Sequence, residues 1–247
     1  MYHSVDRSRS PISLDTRTFE QHADWFAESG VQVVSLEELI TLPNDTDAVA
    51  LTFDDAFRNF GSTAWPILQE RGLPATVFVV SDKVGDTNAW GGVRDPRIPV
   101  LPLLDWDELG ELAAEGVTIG AHSRTHRHLR GLSTSQLADE MGGSRDHIHE
   151  RTGVLPQTFA YPFGTWDKTA AKAAADFFHI ACTTELRPLS ASDSAYLLPR
   201  LDAYYFQRPG MLEQWGTPRF RRYVGARSVA RGVKTVARAF LSRLSGD

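Results

Sequence analysis

The chain alternates short apolar runs with longer amphipathic ones. Residues 48–55, AVALTFDD, form an apolar and β-branched run that passes without a break into two adjacent carboxylates. A run of that kind, bounded by polar residues, predicts a strand buried on both faces, as in a parallel sheet, with functional side chains emerging at its C-terminal end. Comparable runs predict strands at 31–34, 74–80, 117–119 and 179–183, one ending at Tyr161, and a last one at 196–201. Residues 1–5 read as a short opening strand. Helical periodicity falls between the strands, at 13–30, 59–72, 105–115, 133–151 and 167–176. The first of these helices has Asp15 or Thr16 as N-cap, an apolar face through Phe19, Ala23 and Phe26, and Gly30 as its stop. Ser35 caps a short helix, with Glu38 three residues on in the capping-box position. Repeated strand–helix units whose strands are too apolar to be half exposed imply parallel pairing and right-handed crossovers. The pattern predicts a parallel α/β fold, open or closed.

Length and charge narrow this picture. A chain of 247 residues is long enough for one large α/β domain with a substantial core. The net charge of -5 is unevenly spread. Residues 219–247 carry eight basic groups against Asp247, a net of +7, which leaves -12 for the rest. An acidic body argues against general nucleic-acid binding. The single cysteine, Cys182, excludes an intramolecular disulfide and reads as a small buried residue on a strand. No run of 18 apolar residues exists, so no membrane-spanning helix is expected, and the opening residues read as structure rather than as a signal peptide. Residues 81–104 form a long segment rich in Gly, Pro and Asp that contains Trp90. That indole either stacks against a sugar face or pins its own loop to the core.

The candidate chemistry starts from the paired acids. Two neighbouring carboxylates in a partly dry pocket repel each other, so a cation is expected beside them, with a metal as the obvious choice. Residues 117–129, VTIGAHSRTHRHL, place His122 and His126 four apart after another short strand, and one helical turn would aim both imidazoles the same way. A histidine pair at that spacing is often incidental. Joined to a carboxylate, two neutral imidazoles make a three-ligand set that leaves coordination positions open for water and substrate, as a hydrolase needs.

Three runs in order resemble the motifs of the polysaccharide deacetylases, the NodB-homology group of carbohydrate esterases. They are Thr52-Phe53-Asp54-Asp55, His122-Ser123-Arg124-Thr125-His126 and Phe159-Ala160-Tyr161-Pro162-Phe163-Gly164, and the resemblance covers roughly residues 1–205. It implies a distorted (β/α) barrel of about seven parallel strands with the active site at their C-terminal ends. It also implies that Asp55, His122 and His126 hold a divalent metal ion, for which zinc is the default. Asp54 is then the general base, and the backbone N–H of Phe163, the residue after the motif's proline, is the oxyanion donor. His128, two residues beyond His126, points elsewhere.

Two departures from the family pattern matter. Most of the family takes its general acid from a late Leu-x-His motif, but the corresponding region here reads Leu198-Pro199-Arg200-Leu201-Asp202. A subgroup resembling the poly-β-1,6-N-acetylglucosamine deacetylases has circularly permuted motifs and takes this histidine from a Tyr-His pair on the first strand. Tyr2-His3 matches it, which makes His3 the expected acid. The second departure is Ala160, which stands where an arginine usually braces the base; Arg200 is the candidate replacement.

Residues 206–247 follow as a basic amphipathic extension. Arg227, Arg231, Lys234 and Arg238 recur at helical spacing, while Val229, Val233, Val236, Phe240 and Leu244 line another face. Such a helix can lie on an anionic membrane or dock on a partner, the alternative being that it packs on the acidic body. The expected activity is metal-dependent removal of N-acetyl, rather than O-acetyl, groups from an N-acetylhexosamine glycan or its lipid-linked precursor. The rival readings are a catalytically silent saccharide-binding homologue and a hydrolase of another non-peptide C–N bond.

Overall fold

Five parallel strands frame the protein, and every candidate residue hangs from their ends or edges. The computed structural model describes residues 1–91 and 95–244, the side chains of 233–244 excepted. Its strands are β1 (Ser4–Val5), β2 (Ser13–Leu14), β3 (Gln32–Val33), β4 (Ala48–Val49), β5 (Leu51–Phe53), β6 (Ala75–Val79), β7 (Thr118–Ala121), β8 (Thr158–Ala160) and β9 (Ile180–Cys182). Its α-helices are α1 (Thr16–Glu28), α2 (Leu36–Leu39), α3 (Trp65–Gln69), α4 (Trp106–Ala114), α5 (Thr134–Leu137), α6 (Gly143–Thr152), α7 (Lys168–Phe177) and α8 (Pro218–Leu244).

The central sheet runs β5-β6-β7-β8-β9. Single parallel bridges extend it at both edges, Tyr2 beside Phe53 and Leu198 beside Cys182. Seven parallel segments result, in line with the expected barrel. The Met1 nitrogen donates to the Leu201 carbonyl at 2.8 Å and Ala203 N–H to the Met1 carbonyl at 3.0 Å, which ties one edge to the other. The strands are apolar because both faces are covered, and all five residues of β6 are buried. The larger apolar cluster lies mostly under the helices, whereas Phe78, Ala160, Ile180, Cys182 and Leu198 pack together in a smaller one. Gly120 in β7 is required by that packing, because a Cβ there would fall 2.6 Å from the Phe78 ring and 2.7 Å from Thr158 Oγ1.

The helix starts follow their caps. Asp15 accepts from Arg17 N–H at the head of α1, Ser35 and Glu38 form a complete capping box on α2, and Asp105 and Glu108 do the same on α4. Three stretches differ from the expected spans. The 48–53 run breaks at Ala50, so β4 pairs with β3 while β5 pairs with β6. A π-helical turn, Phe60–Ala64, opens the helix leading into α3, and a second, Ala138–Gly142, joins α5 to α6. The 81–104 segment is pinned by bridges between Phe57 and Leu103 and between Thr87 and Pro102.

The extension after residue 205 docks on this body. Phe206, Leu212, Phe220 and Val224 are buried in the main core. Arg227 lies over the rings of Tyr223 and Tyr205, at 5.2 and 5.8 Å, and Arg231 sits 3.6 Å from Asp202. Val229, on the apolar face read from the sequence, is 70% exposed, while Phe220 and Val224 supply the face of α8 that packs on the body. Val233, Lys234, Val236, Arg238, Phe240 and Leu244 lie outside the described side chains. Among the described residues no helix is long and apolar enough to cross a membrane.

Candidate metal and catalytic site

Where β5 ends, the chain turns sharply and sends two adjacent carboxylates to different partners. Asp54 stays in register, donating its N–H to the Tyr2 carbonyl at 2.9 Å. Asp55 and Ala56 then adopt φ of 73° and 54°, in the left-handed region that non-glycine residues avoid. Asp55 thereby faces His122 and His126, whereas Asp54 faces Arg200 and His3.

The Asp55 group is compact. Its Oδ1 lies 3.4 Å from His122 Nε2 and 3.1 Å from His126 Nε2. One ligand atom from each of the three buried residues falls within 4.8 Å of the other two. His122 Nδ1 donates to the Ala160 carbonyl at 2.7 Å, which leaves the Nε2 lone pair facing Asp55. Asp55 Oδ1 is itself buried without a hydrogen-bond partner among the described residues. A buried anionic oxygen facing two imidazole nitrogens is satisfied by a cation, so the donor set fits a divalent metal. Burial pushes the Asp55 carboxyl up, but the neighbouring His126 and His122 outweigh it and hold the group well below the usual carboxylate range.

The two histidines are not on a helix, contrary to the expectation from their spacing. β7 ends at Ala121, and an irregular loop with Ser123 at φ 65° and His126 at φ 60° carries both rings. The loop closes through side chains: His126 N–H donates to Ser123 Oγ at 3.0 Å, where a helix would use a carbonyl. Ser81 N–H and Asp82 N–H bind the Ser123 and Arg124 carbonyls, at 3.2 and 3.0 Å.

Beside this group, Arg200 donates from Nη1 and Nη2 to the two oxygens of Asp54, at 2.6 and 2.8 Å. Its Nε donates to the Thr183 carbonyl at 2.8 Å, and Phe78 lies beneath the guanidinium at 5.6 Å. Burial raises the Asp54 pKa, but Arg200, His122 and His3 together bring it below the usual value. His3 Nε2 lies 4.0 Å from Asp54 Oδ2, with about a fifth of its side chain exposed.

Aromatic groups surround His126. The Trp90 ring lies 4.2 Å from it, and Phe163, at φ 58° and half exposed, meets it edge-on at 4.6 Å. Of the two roles open to Trp90, the contact made is with a candidate ligand. His128 turns away, with Nδ1 3.0 Å from Thr165 Oγ1. Among the described residues six non-glycine positions have positive φ, and all but Arg9 lie at this site: Asp55, Ala56, Ser123, His126 and Phe163. Such strain persists where the surroundings over-determine it, and it gathers at functional sites.

Sequence reasoning missed Glu140, a buried carboxylate that binds the backbone of the histidine loop. A cavity of about 560 Å³ is separate from the metal group: Arg200, Thr52, Leu36 and Phe206 line it, and Asp55, His122 and His126 do not.

With this geometry in hand, comparison with known proteins is informative. The sequence profile described as "Polysaccharide deacetylase" matches residues 41–178, a stretch that contains Asp54, Asp55, His122, His126 and Phe163 but neither His3 nor Arg200. A Bacillus subtilis relative named for the polysaccharide deacetylases, YxkH, is 26% identical over 211 residues, 81% of this chain and 69% of its own. The poly-beta-1,6-N-acetyl-D-glucosamine N-deacetylase of Staphylococcus aureus is 21% identical over 218 residues, covering 81% of this chain and 71% of its own. Among solved structures, IcaB from Ammonifex degensii superposes with a TM-score of 0.68 at 22% identity, over 90% of this chain and 94% of that one. The Streptococcus pyogenes deacetylase PplD, solved with acetate, gives 0.69 at 22% identity, over 82% and 89%. The fold is shared with both, and the profile match over more than half the sequence settles the family: this chain belongs to the polysaccharide deacetylases.

Proposed function

We propose that the protein is a metal-dependent hydrolase that removes N-acetyl groups from an N-acetylhexosamine-containing polysaccharide or lipid-linked glycan. The observation that carries this reading is the convergence of Asp55, His122 and His126, with an arginine-braced Asp54 immediately beside them. A divalent ion held by those three, most naturally zinc, supplies Lewis-acid polarisation of the acetyl carbonyl and a more acidic attacking water.

The remaining steps fall to side chains and backbone of the chain. Asp54 is ionised and fixed by Arg200, and each carboxylate oxygen keeps a further lone pair, so it takes the proton of the attacking water. Phe163 presents its backbone N–H to the oxygen on which negative charge develops, a position its left-handed backbone conformation supports. His3, near Asp54 and open to the surface, delivers a proton to the departing amine, which leaves poorly without one. All of this chemistry lies within residues 1–205. To the basic extension, residues 206–247, we assign contact with an anionic membrane surface through the exposed Arg219, Arg221 and Arg222.

The deciding experiment measures acetate released from a panel of acetylated glycans, including poly-β-1,6-N-acetylglucosamine, with and without a chelator. Zinc-dependent release that disappears in Asp54→Asn is expected. Release from none of the panel by zinc-loaded protein would overturn the assignment.

A further inference from the structure

The loop between the two candidate histidine ligands hangs from one buried carboxylate. Glu140, only 3% exposed, accepts the N–H groups of Arg124 and Thr125 on Oε2, at 3.1 and 3.0 Å, and the Thr125 hydroxyl on Oε1, at 2.6 Å. All three donors belong to the segment linking His122 to His126. Glu140 reaches them from the π-helical turn Ala138–Gly142, and an inserted residue of this kind redirects a side chain that a regular helix would aim elsewhere. The neighbouring helix adds a second tie, with Ser144 Oγ donating to the Ser123 carbonyl at 3.1 Å.

Geometry explains why a carboxylate is needed. Ser123 and His126 both hold left-handed backbone conformations, which relax toward extended or helical values unless the residues between them are fixed. Two successive N–H groups converging on a single oxygen form an anion-binding concavity. A carboxylate is all acceptor, so it answers the two N–H groups and the hydroxyl at once. An amide in its place would keep one oxygen for the two N–H groups, lose the negative charge and require the Thr125 hydroxyl to accept rather than donate.

We infer that Glu140 is a positioning residue for the metal centre: it holds the 122–126 loop in the conformation that aims His126 at Asp55, and so sets metal affinity without touching the metal. This rests on the metal-dependent reading above. Groups that orient ligands in this way change metal affinity by about 10- to 100-fold when removed.

The test is zinc binding, read by competition with a chromophoric chelator on the metal-stripped full-length chain, alongside thermal unfolding of each apo protein. Glu140→Ala is expected to weaken zinc binding about 10- to 100-fold. Thr125→Val, which removes one hydrogen bond, should weaken it about fivefold. In a His126→Gln background the Glu140→Ala effect should vanish, because its route through His126 is already gone. If Glu140→Ala does not fold, Thr125→Val and Glu140→Gln decide the question in the same two backgrounds. Wild-type zinc affinity in these variants, with only the apo melting temperature lowered, would overturn the inference while leaving the metal reading intact. So would an equal loss with and without His126. A wild-type chain that takes up no zinc would overturn the metal reading itself and this inference with it.

Discussion

Arg200 grips both carboxylate oxygens of Asp54, at 2.6 and 2.8 Å, across 146 residues of chain. The pair joins the last strand-like segment to the first motif, and under the proposed function it supplies the brace that Ala160 cannot. A lysine is a point charge and cannot reproduce the fork. Arg200→Lys is therefore expected to lower the deacetylation kcat about 10²-fold, the scale of a displaced general base, with KM little changed. Arg200→Ala leaves a buried carboxylate unpaired and should cost about 3–5 kcal/mol of stability, much of it regained in the Arg200→Ala/Asp54→Asn double variant. Initial rates and urea unfolding check the two halves separately. Deacetylation by Arg200→Ala at the wild-type rate would remove the bracing role.

Metal removal gives the second prediction. Asp55 Oδ1, buried and without a hydrogen-bond partner among the described residues, is destabilising unless a cation answers it. Dialysis against a chelator should abolish acetate release, and added zinc should restore it. Zinc at about 100 times its dissociation constant should raise folding stability by about 2.7 kcal/mol, visible as a shift of the thermal midpoint. In Asp55→Ala both the rescue and the shift should be lost; a shift of unchanged size there would place the ion elsewhere.

How much of this could be read beforehand depends on whether a feature is local. The buried strand ending in Asp54 and Asp55 was legible because apolarity stops abruptly there, and the caps of α1 and α2 were legible because each lies within three residues of its partner. The break at Ala50 was not, since β4 and β5 differ in pairing partners rather than in hydrophobic pattern. The spacing of His122 and His126 suits a helical turn, but Ser123 Oγ takes the N–H a helix would use. The π-helical turn at Ala138–Gly142 shifts the helix face by one residue without disturbing composition. Glu140 was silent because its partners are backbone groups about a helix away in sequence. Arg200 could be named only as the answer to a missing brace, and the approach of Trp90 to His126 joins two loops that the hydrophobic pattern does not bring together.

The basic extension carries the third prediction. Arg227, itself exposed, lies over the Tyr205 and Tyr223 rings and Arg231 sits beside Asp202, whereas Arg219, Arg221 and Arg222 are exposed together at the head of α8. Basic groups near an anionic bilayer contribute about 1 kcal/mol each. Co-sedimentation with phosphatidylserine-containing vesicles should therefore fall sharply when all three are changed to glutamate, and should also fall with salt. Equal sedimentation of wild type and variant would confine the extension to packing.

A fourth prediction concerns pH. His22, buried on α1, joins the first strand to the C-terminal extension: its Nδ1 lies 3.1 Å from the Tyr2 hydroxyl and its Nε2 3.1 Å from the Phe206 carbonyl. A carbonyl only accepts, so Nε2 carries the proton and Nδ1 receives the Tyr2 hydroxyl. Protonating Nδ1 would force the buried Tyr2 hydroxyl to turn from donor to acceptor and would place a cation in a buried site. Burial lowers the His22 pKa, and although the Phe206 carbonyl opposes this, the net shift is downward. The unfolded chain takes up this proton near pH 6.5, and the folded protein does so only at lower pH. Between those values the unfolded state binds more protons, so the contribution of His22 is complete above about pH 7 and is lost as pH falls toward the depressed folded value. Glutamine offers the same acceptor and donor without titrating. Urea midpoints should consequently fall more steeply from pH 7 to pH 5 in wild type than in His22→Gln, with the two curves parallel above pH 7. Parallel curves over the whole range would mean that another group governs the acid limb, and that the joint between Tyr2 and Phe206 does not sense protons.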